Sequence, residues 1–89
     1  MEFQYNQAKS CKNLAKHGID FEEAKKLWMD QEALIIPARN EGETRWMVIG
    51  HIEGLQWTAI VTISGESIRL ISVRRSRLIE RIWYESGRI

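Results

Sequence analysis

Residues 45–73 read RWMVIGHI-EG-LQWTAIVTI-SGES-IRLISV, and this stretch decides the fold. Arg45 to Ile52 and Leu55 to Ile63 are two runs rich in β-branched and aromatic residues. Glu53-Gly54 parts them, a pair of the kind that closes a tight hairpin. Ser64-Gly65-Glu66-Ser67 is a second turn and leads into a third run, Ile68 to Val73. Upstream, Ala33 to Ile36 reads as a short strand that Pro37 ends or confines to a sheet edge. The expected product is an antiparallel meander of three or four strands. In its central strands both faces are apolar: Trp46, Val48 and Ile52 alternate with Met47 and Ile49, and Trp57, Ala59 and Val61 alternate with Thr58 and Ile60. One face should pack on helices, while the other is apolar enough to take a further helix or a partner protein.

Outward from the meander the period becomes helical. Asn6 is a cap for a first helix on which Ala8, Cys11 and Ala15 recur on one face, and Gly18 is its natural stop. On that count Cys11 is expected to be a buried small hydrophobe. Lys16 and His17 complement the negative end of its dipole. Asp20 and Glu23 form a capping box that opens a helix over residues 21–29, with Phe21, Ala24, Leu27 and Trp28 as its apolar stripe. A last helix over residues 75–86 carries Leu78, Ile79, Ile82 and Trp83 on one side and Arg77, Glu80, Arg81 and Tyr84 towards the other. The whole reads as one α+β domain over residues 1–89, with two amino-terminal helices, the sheet and one carboxy-terminal helix.

Composition sets the outer limits. With 44% hydrophobic residues and four Trp among 89 residues, one core can be filled without staples. A lone Cys11 cannot make an internal disulfide, no apolar run approaches the ~20 residues of a membrane span, and the amino terminus lacks the order of a signal peptide. The expected location is the cytoplasm. The net charge of +1 is unevenly spread: residues 67–89 hold six Arg against two Glu. The planar guanidinium fork suits phosphate better than the point charge of Lys.

Several chemistries drop out. His17 and His51 are far apart and Cys11 is alone, so no metal-ligand spacing exists, and no metal or cofactor is expected. Nor does the chain hold a phosphate-cradling glycine loop or a nucleophile elbow. The remaining polar residues suit cleavage of RNA through its own 2′-hydroxyl. That reaction takes a base for the 2′-hydroxyl (His17 or Glu80), an acid for the 5′-oxygen (His17 or Tyr84) and cations for the crowded phosphorane (Arg69, Arg74 and Arg75). Lys16, Arg77 and Arg81 would extend the RNA-binding surface. Met47, Ile49 and Ile60, on the second sheet face, are the expected contacts for a partner protein, and His51 beside them is read as packing or interface.

Read in order, these residues resemble a known family. Asn13-x-x-Lys16-His17-Gly18-Ile19-x-Phe21-Glu22-Glu23-Ala24 is similar to the amino-terminal signature of BrnT-type toxins. Ile49-Gly50, Arg69-Leu70-Ile71-Ser72-Val73-Arg74-Arg75 and Glu80-Arg81-x-x-Tyr84-Glu85 follow in the order and spacing of that family. The resemblance implies a RelE-like endoribonuclease toxin of a type II toxin–antitoxin pair. It also implies neutralisation by a BrnA-type antitoxin with a ribbon-helix-helix DNA-binding region, and autoregulation of the operon by the complex, which touches operator DNA only through the antitoxin. The chain departs from the family pattern in four places. Tyr5-Asn6 replaces an aromatic-Asp pair, Gly54-Leu55 a Gly-Arg turn, and Arg77-Leu78-Ile79 a capping Thr-Pro-x. Thr62-Ile63-Ser64 replaces Thr-x-Arg, so one expected cation is missing at Ser64. A catalytically weakened homologue, acting mainly as an antitoxin-binding co-regulator, is the alternative reading. For the active enzyme, the end of the first helix, the strand end at Arg69 to Arg74 and the last helix are expected to converge on one cleft. Truncating Arg74, Glu80 or Tyr84 should then abolish toxicity and leave stability intact.

Overall fold

Capping sets the local boundaries. In a computed structural model that describes residues 1–38 and 42–87, the Asn6 side chain accepts from the Lys9 N–H at 3.0 Å and starts helix α1, Gln7–His17, which Gly18 closes in the left-handed conformation. The Asp20 carboxylate accepts from the Glu23 N–H at 2.8 Å and starts α2, Phe21–Ala24. The helical run continues to Met29, as expected, but from Lys25 it tightens into a 3₁₀ turn. Phe21, Ala24 and Leu27 are all fully buried. Their spacing of three is the repeat of a 3₁₀ helix, so the tighter turn holds them on one line against the sheet.

The sheet is larger than the meander alone. Its strands are β1 (Glu2–Gln4), β2 (Leu34–Ala38), β3 (Arg45–Ile52), β4 (Leu55–Ser64) and β5 (Ser67–Arg75), in the spatial order β1-β5-β4-β3-β2. The expectation of three or four antiparallel strands is therefore corrected: among the described residues the sheet has five, and β1 pairs parallel with β5, Phe3 opposite Ile68. Three residues carry no readable period, and this pairing bridges most of the chain. Pro37 lies inside β2, which tolerates it as an edge strand. Glu53 and Gly54 both have positive φ, 49° and 82°, as a two-residue hairpin between twisted strands requires.

The faces of α1 are inverted relative to expectation. Ala8, Cys11 and Ala15 are exposed, and the buried residues are Ser10 and Asn13. Ser10 Oγ accepts from the Phe21 N–H at 2.9 Å. Because β1 stops opposite Arg69, the edge of β5 beyond it has no strand partner among the described residues, and Asn13 takes that place. Its Nδ2 donates to the carbonyls of Val73 and Ile19, both at 2.8 Å, and its Oδ1 accepts from the Val73 N–H at 3.1 Å. One polar side chain thus satisfies backbone groups that periodicity assigns to no one.

The main core lies between the α1–α2 layer and one sheet face. It joins Ile19, Phe21 and Leu27 to Val48, Val61 and Leu70. A Cβ at Gly50 would meet Asp30 Oδ2 at 3.1 Å and Leu27 Cδ2 at 3.2 Å, so glycine lets the helical layer approach β3 closely. The opposite sheet face carries the last helix, α3, Leu78–Ser86. It starts three residues later than expected because β5 runs on to Arg75. No helix among the described residues is long and apolar enough to cross a membrane.

Candidate functional site

The chemistry-bearing residues gather at one end of the sheet. Cross-strand pairing puts Arg74, Thr58 and Ile49 in one row and Arg75, Trp57 and Gly50 in the next. From Arg75 the chain turns through Ser76 and Arg77 into α3, which delivers Glu80 and Tyr84 back onto the same end.

Glu80 is the centre of a closed network. Arg74 grips its carboxylate with both forks, Nη1 to Oε1 and Nη2 to Oε2, each at 2.8 Å. Oε1 also accepts from the Arg77 N–H at 2.8 Å, which caps the amino terminus of α3, and from the Thr58 hydroxyl at 3.0 Å. Thr58 in turn shares a 2.8 Å hydrogen bond with Ser76. Burial works against the charged carboxylate, but the donors from Arg74, Arg77 and Thr58 outweigh it and hold the Glu80 pKa below its ordinary 4.5. The hydrogen bond to Glu80 in turn raises the Arg74 pKa. So arranged, Glu80 holds a guanidinium rather than offering a free lone pair to a proton donor.

A second cluster joins α3 to β3. The Tyr84 hydroxyl donates to Asp30 Oδ2 at 2.6 Å, and its ring meets His51 edge-on, with centroids 4.7 Å apart. Asp30 also accepts from the His51 and Glu32 backbone N–H groups, at 2.8 and 2.9 Å. Burial and the bond to Asp30 push the Tyr84 phenol up to about 12. Burial opposes the Asp30 charge, yet the bonds from Tyr84 and the two N–H groups keep its pKa below 3.8. A pH dependence of folding follows. Asp30 and Glu80 are depressed, so their stabilisation is present above 3.8 and 4.5 and is lost as pH falls through their lower folded values. Tyr84 is raised, so its share is present below 10.0 and is lost as pH rises towards about 12. Urea midpoints across pH should show both limbs, and Tyr84→Phe should shrink the alkaline one, to which the raised Tyr5 and Lys26 also contribute; an unchanged alkaline limb would refute the assignment.

The other expected site residues are more scattered. A register shift between Ile60 and Val61 leaves Ile71 without a partner, since Ile60 faces Ser72 and Val61 faces Leu70. This one-residue bulge moves Arg69 and Arg74, five apart, onto the same face, the one that carries α3. They stand about 15 Å apart along the strand. Arg69 is exposed and has no ion pair among the described residues. Arg75 lies on the opposite face, its Nε donating to the Gln56 carbonyl at 3.2 Å and its guanidinium 5.5 Å from the Trp57 ring centroid. His17 ends α1 on that same opposite side, half-buried, and Lys16 beside it is exposed. Arg77 and Arg81 are exposed at the start and on the outer side of α3, and Arg88 lies outside the described residues. The sheet end therefore gathers Arg74, Glu80 and Tyr84, whereas the end of α1 reaches it from the other face. Of the residues expected at a partner surface, Met47 and Ile60 are half-buried but Ile49 is wholly buried, which removes it as a direct contact.

A family model described as the ribonuclease toxin BrnT of type II toxin–antitoxin systems matches residues 5–80. The chain belongs to the BrnT family. The matched span of this BrnT chain runs from Tyr5 to Glu80 and includes α1, the whole meander and the Arg74–Glu80 pair. A search of curated proteins finds no match. Sequence reading missed Asp30, Thr58 and Ser76, which hold Tyr84 and Glu80 in place. No spacing marks them, because their partners come from distant strands and from α3. The one usable signal was Asp30 itself, a carboxylate standing at the end of a helical stripe.

Proposed function

We propose that the chain is a cytoplasmic toxin that cuts RNA without a metal, using the substrate's own 2′-hydroxyl. The observation that carries this reading is the bulge at Ile71, which sets Arg69 and Arg74 on one sheet face beside α3. Two guanidiniums spaced along one face can hold separate phosphates of the same RNA strand. The 2′-oxygen attacks phosphorus as a base takes its proton, the bond to the 5′-oxygen breaks, and that oxygen leaves with a proton. Arg74 stabilises the charge that builds on the phosphorane, and Arg69 holds a phosphate further along the strand. Glu80 is a positioning residue that fixes the fork of Arg74, and Tyr84 fixes α3 through Asp30. His17 ends α1 on the other face of the sheet, away from Arg69 and Arg74, and is an RNA contact there with Lys16 and Arg75, while Arg77 and Arg81 draw RNA to α3. A BrnA-type antitoxin of the ribbon-helix-helix class neutralises the toxin, and the complex autoregulates its own operon.

In excess EDTA, purified protein should still cleave single-stranded RNA and leave 2′,3′-cyclic phosphate ends, with binding that weakens as salt rises. Strict dependence on added divalent metal would overturn the mechanism. Ser64, which stands at the exposed end of β4 where the family pattern places a cation, favours the second reading of a weakened, co-regulatory homologue. Expression without antitoxin separates the two, since only an active ribonuclease arrests growth.

A further inference from the structure

Helix α3 is docked the wrong way round for an amphipathic helix. Its polar side faces the sheet, with Glu80 buried in the Arg74 network and Tyr84 tied to Asp30. Its apolar side faces outward: Leu78 is 69% exposed, Ile79 49% and Ile82 49%. These three occupy i, i+1 and i+4 positions and form one patch on the helix. Beside them stand the exposed Arg77 and Arg81, against one exposed carboxylate among the described residues of the helix, Glu85. Neither Arg77 nor Arg81 has an ion pair among the described residues.

We propose that this outer face of α3 is the docking surface for a partner protein that presents an apolar helix flanked by carboxylates. The proposal rests on the toxin–antitoxin reading for the class of partner and deepens it by assigning the surface. Charge complementarity selects the occupant. A second copy of this chain, packed about a two-fold axis, would set the same arginines against one another. Single-stranded RNA would find branched aliphatic side chains where a stacking platform needs aromatic ones. A carboxylate-flanked apolar helix covers the patch and neutralises the guanidiniums around it.

The test uses two synthetic amphipathic helices that share a leucine face, one with glutamate along both flanks and the other with lysine. The full chain should bind the glutamate peptide at least about tenfold more tightly than the lysine one, and less tightly at high salt. Ile79→Asp with Ile82→Asp should weaken that binding by about tenfold or more. Because both side chains are about half exposed, the double variant should melt like the parent. Equal binding of the two peptides, or full binding by the double variant, overturns the proposal. So does a concentration-dependent dimer in light scattering that Ile82→Asp abolishes, since the occupant is then a second copy. Loss of RNA cleavage in the parent protein would instead strike at the ribonuclease reading and leave the peptide result to stand on its own.

Discussion

Arg74→Ala is expected to lower both activity and stability, RNA cleavage by about 10²–10³-fold and the fold by about 3–5 kcal/mol. The stability loss comes from Glu80, whose side chain is only 4% exposed and would keep its charge without its main counterion. This corrects the expectation that the site variants leave stability intact: Glu80→Ala likewise strips Arg74, Thr58 and the Arg77 N–H of a shared acceptor. A double replacement separates structure from chemistry. Arg74→Met with Glu80→Gln removes both charges, while the amide oxygen still accepts from Thr58 and Arg77. Removing both partners of a buried pair is often nearly neutral, so this variant should regain most of the lost stability. Its cleavage should stay as low as that of Arg74→Ala, because the guanidinium is still absent. Chemical unfolding and cleavage rates on the three variants decide the matter. Recovery of cleavage along with stability would show that Arg74 acts only through the fold.

Asn13→Ala is the other large expected effect, and it lies far from the arginines. Three buried bonds vanish, leaving the Val73 N–H and the carbonyls of Val73 and Ile19 without partners. A buried polar group left unsatisfied costs about 1–3 kcal/mol. Even at the low end the total is about 3 kcal/mol, a fall in Tm of roughly 12–24 °C for a domain of this size. Cys11→Ala, on the exposed side of the same helix, should move stability by less than about 0.5 kcal/mol. Asn13→Asp should also fail, since it loses both donated bonds and sets a charge against two carbonyls. If Asn13→Ala melts within a few degrees of the Cys11 control, the edge of β5 finds water or another donor, and the strand-surrogate role is wrong.

Asn13 also marks where sequence reading stops. Its place inside the Lys16-His17-Gly18 block was visible, but its task was not, because it serves a strand edge that only exists once β1 has ended opposite Arg69. Periodicity similarly found two amphipathic helices, misjudged the buried side of α1 and did not decide that of α3. In α1 the apolar positions Ala8, Cys11 and Ala15 are small, and orienting them inward would yield less than satisfying the backbone of β5. In α3 the capping of Arg77 and the fork of Arg74 pull Glu80 inward, and Leu78, Ile79 and Ile82 are left outside.

The sequence by itself determined what neighbours in the chain decide: the caps at Asn6 and Asp20, the turn at Glu53-Gly54, the alternation of β3 and β4, and the family block from Asn13 to Ala24. Those features depend on a residue's own conformational preferences and on its near neighbours, which any reader of the chain can see. Only the tertiary structure decided the parallel strand β1, the inward side of α3, the Asp30–Tyr84 tie and the common face of Arg69 and Arg74. Each of these depends on hydrogen bonds between groups distant in sequence. The bulge at Ile71 is the sharpest case: one extra residue reverses the parity of every side chain beyond it, and no composition or spacing announces where it falls.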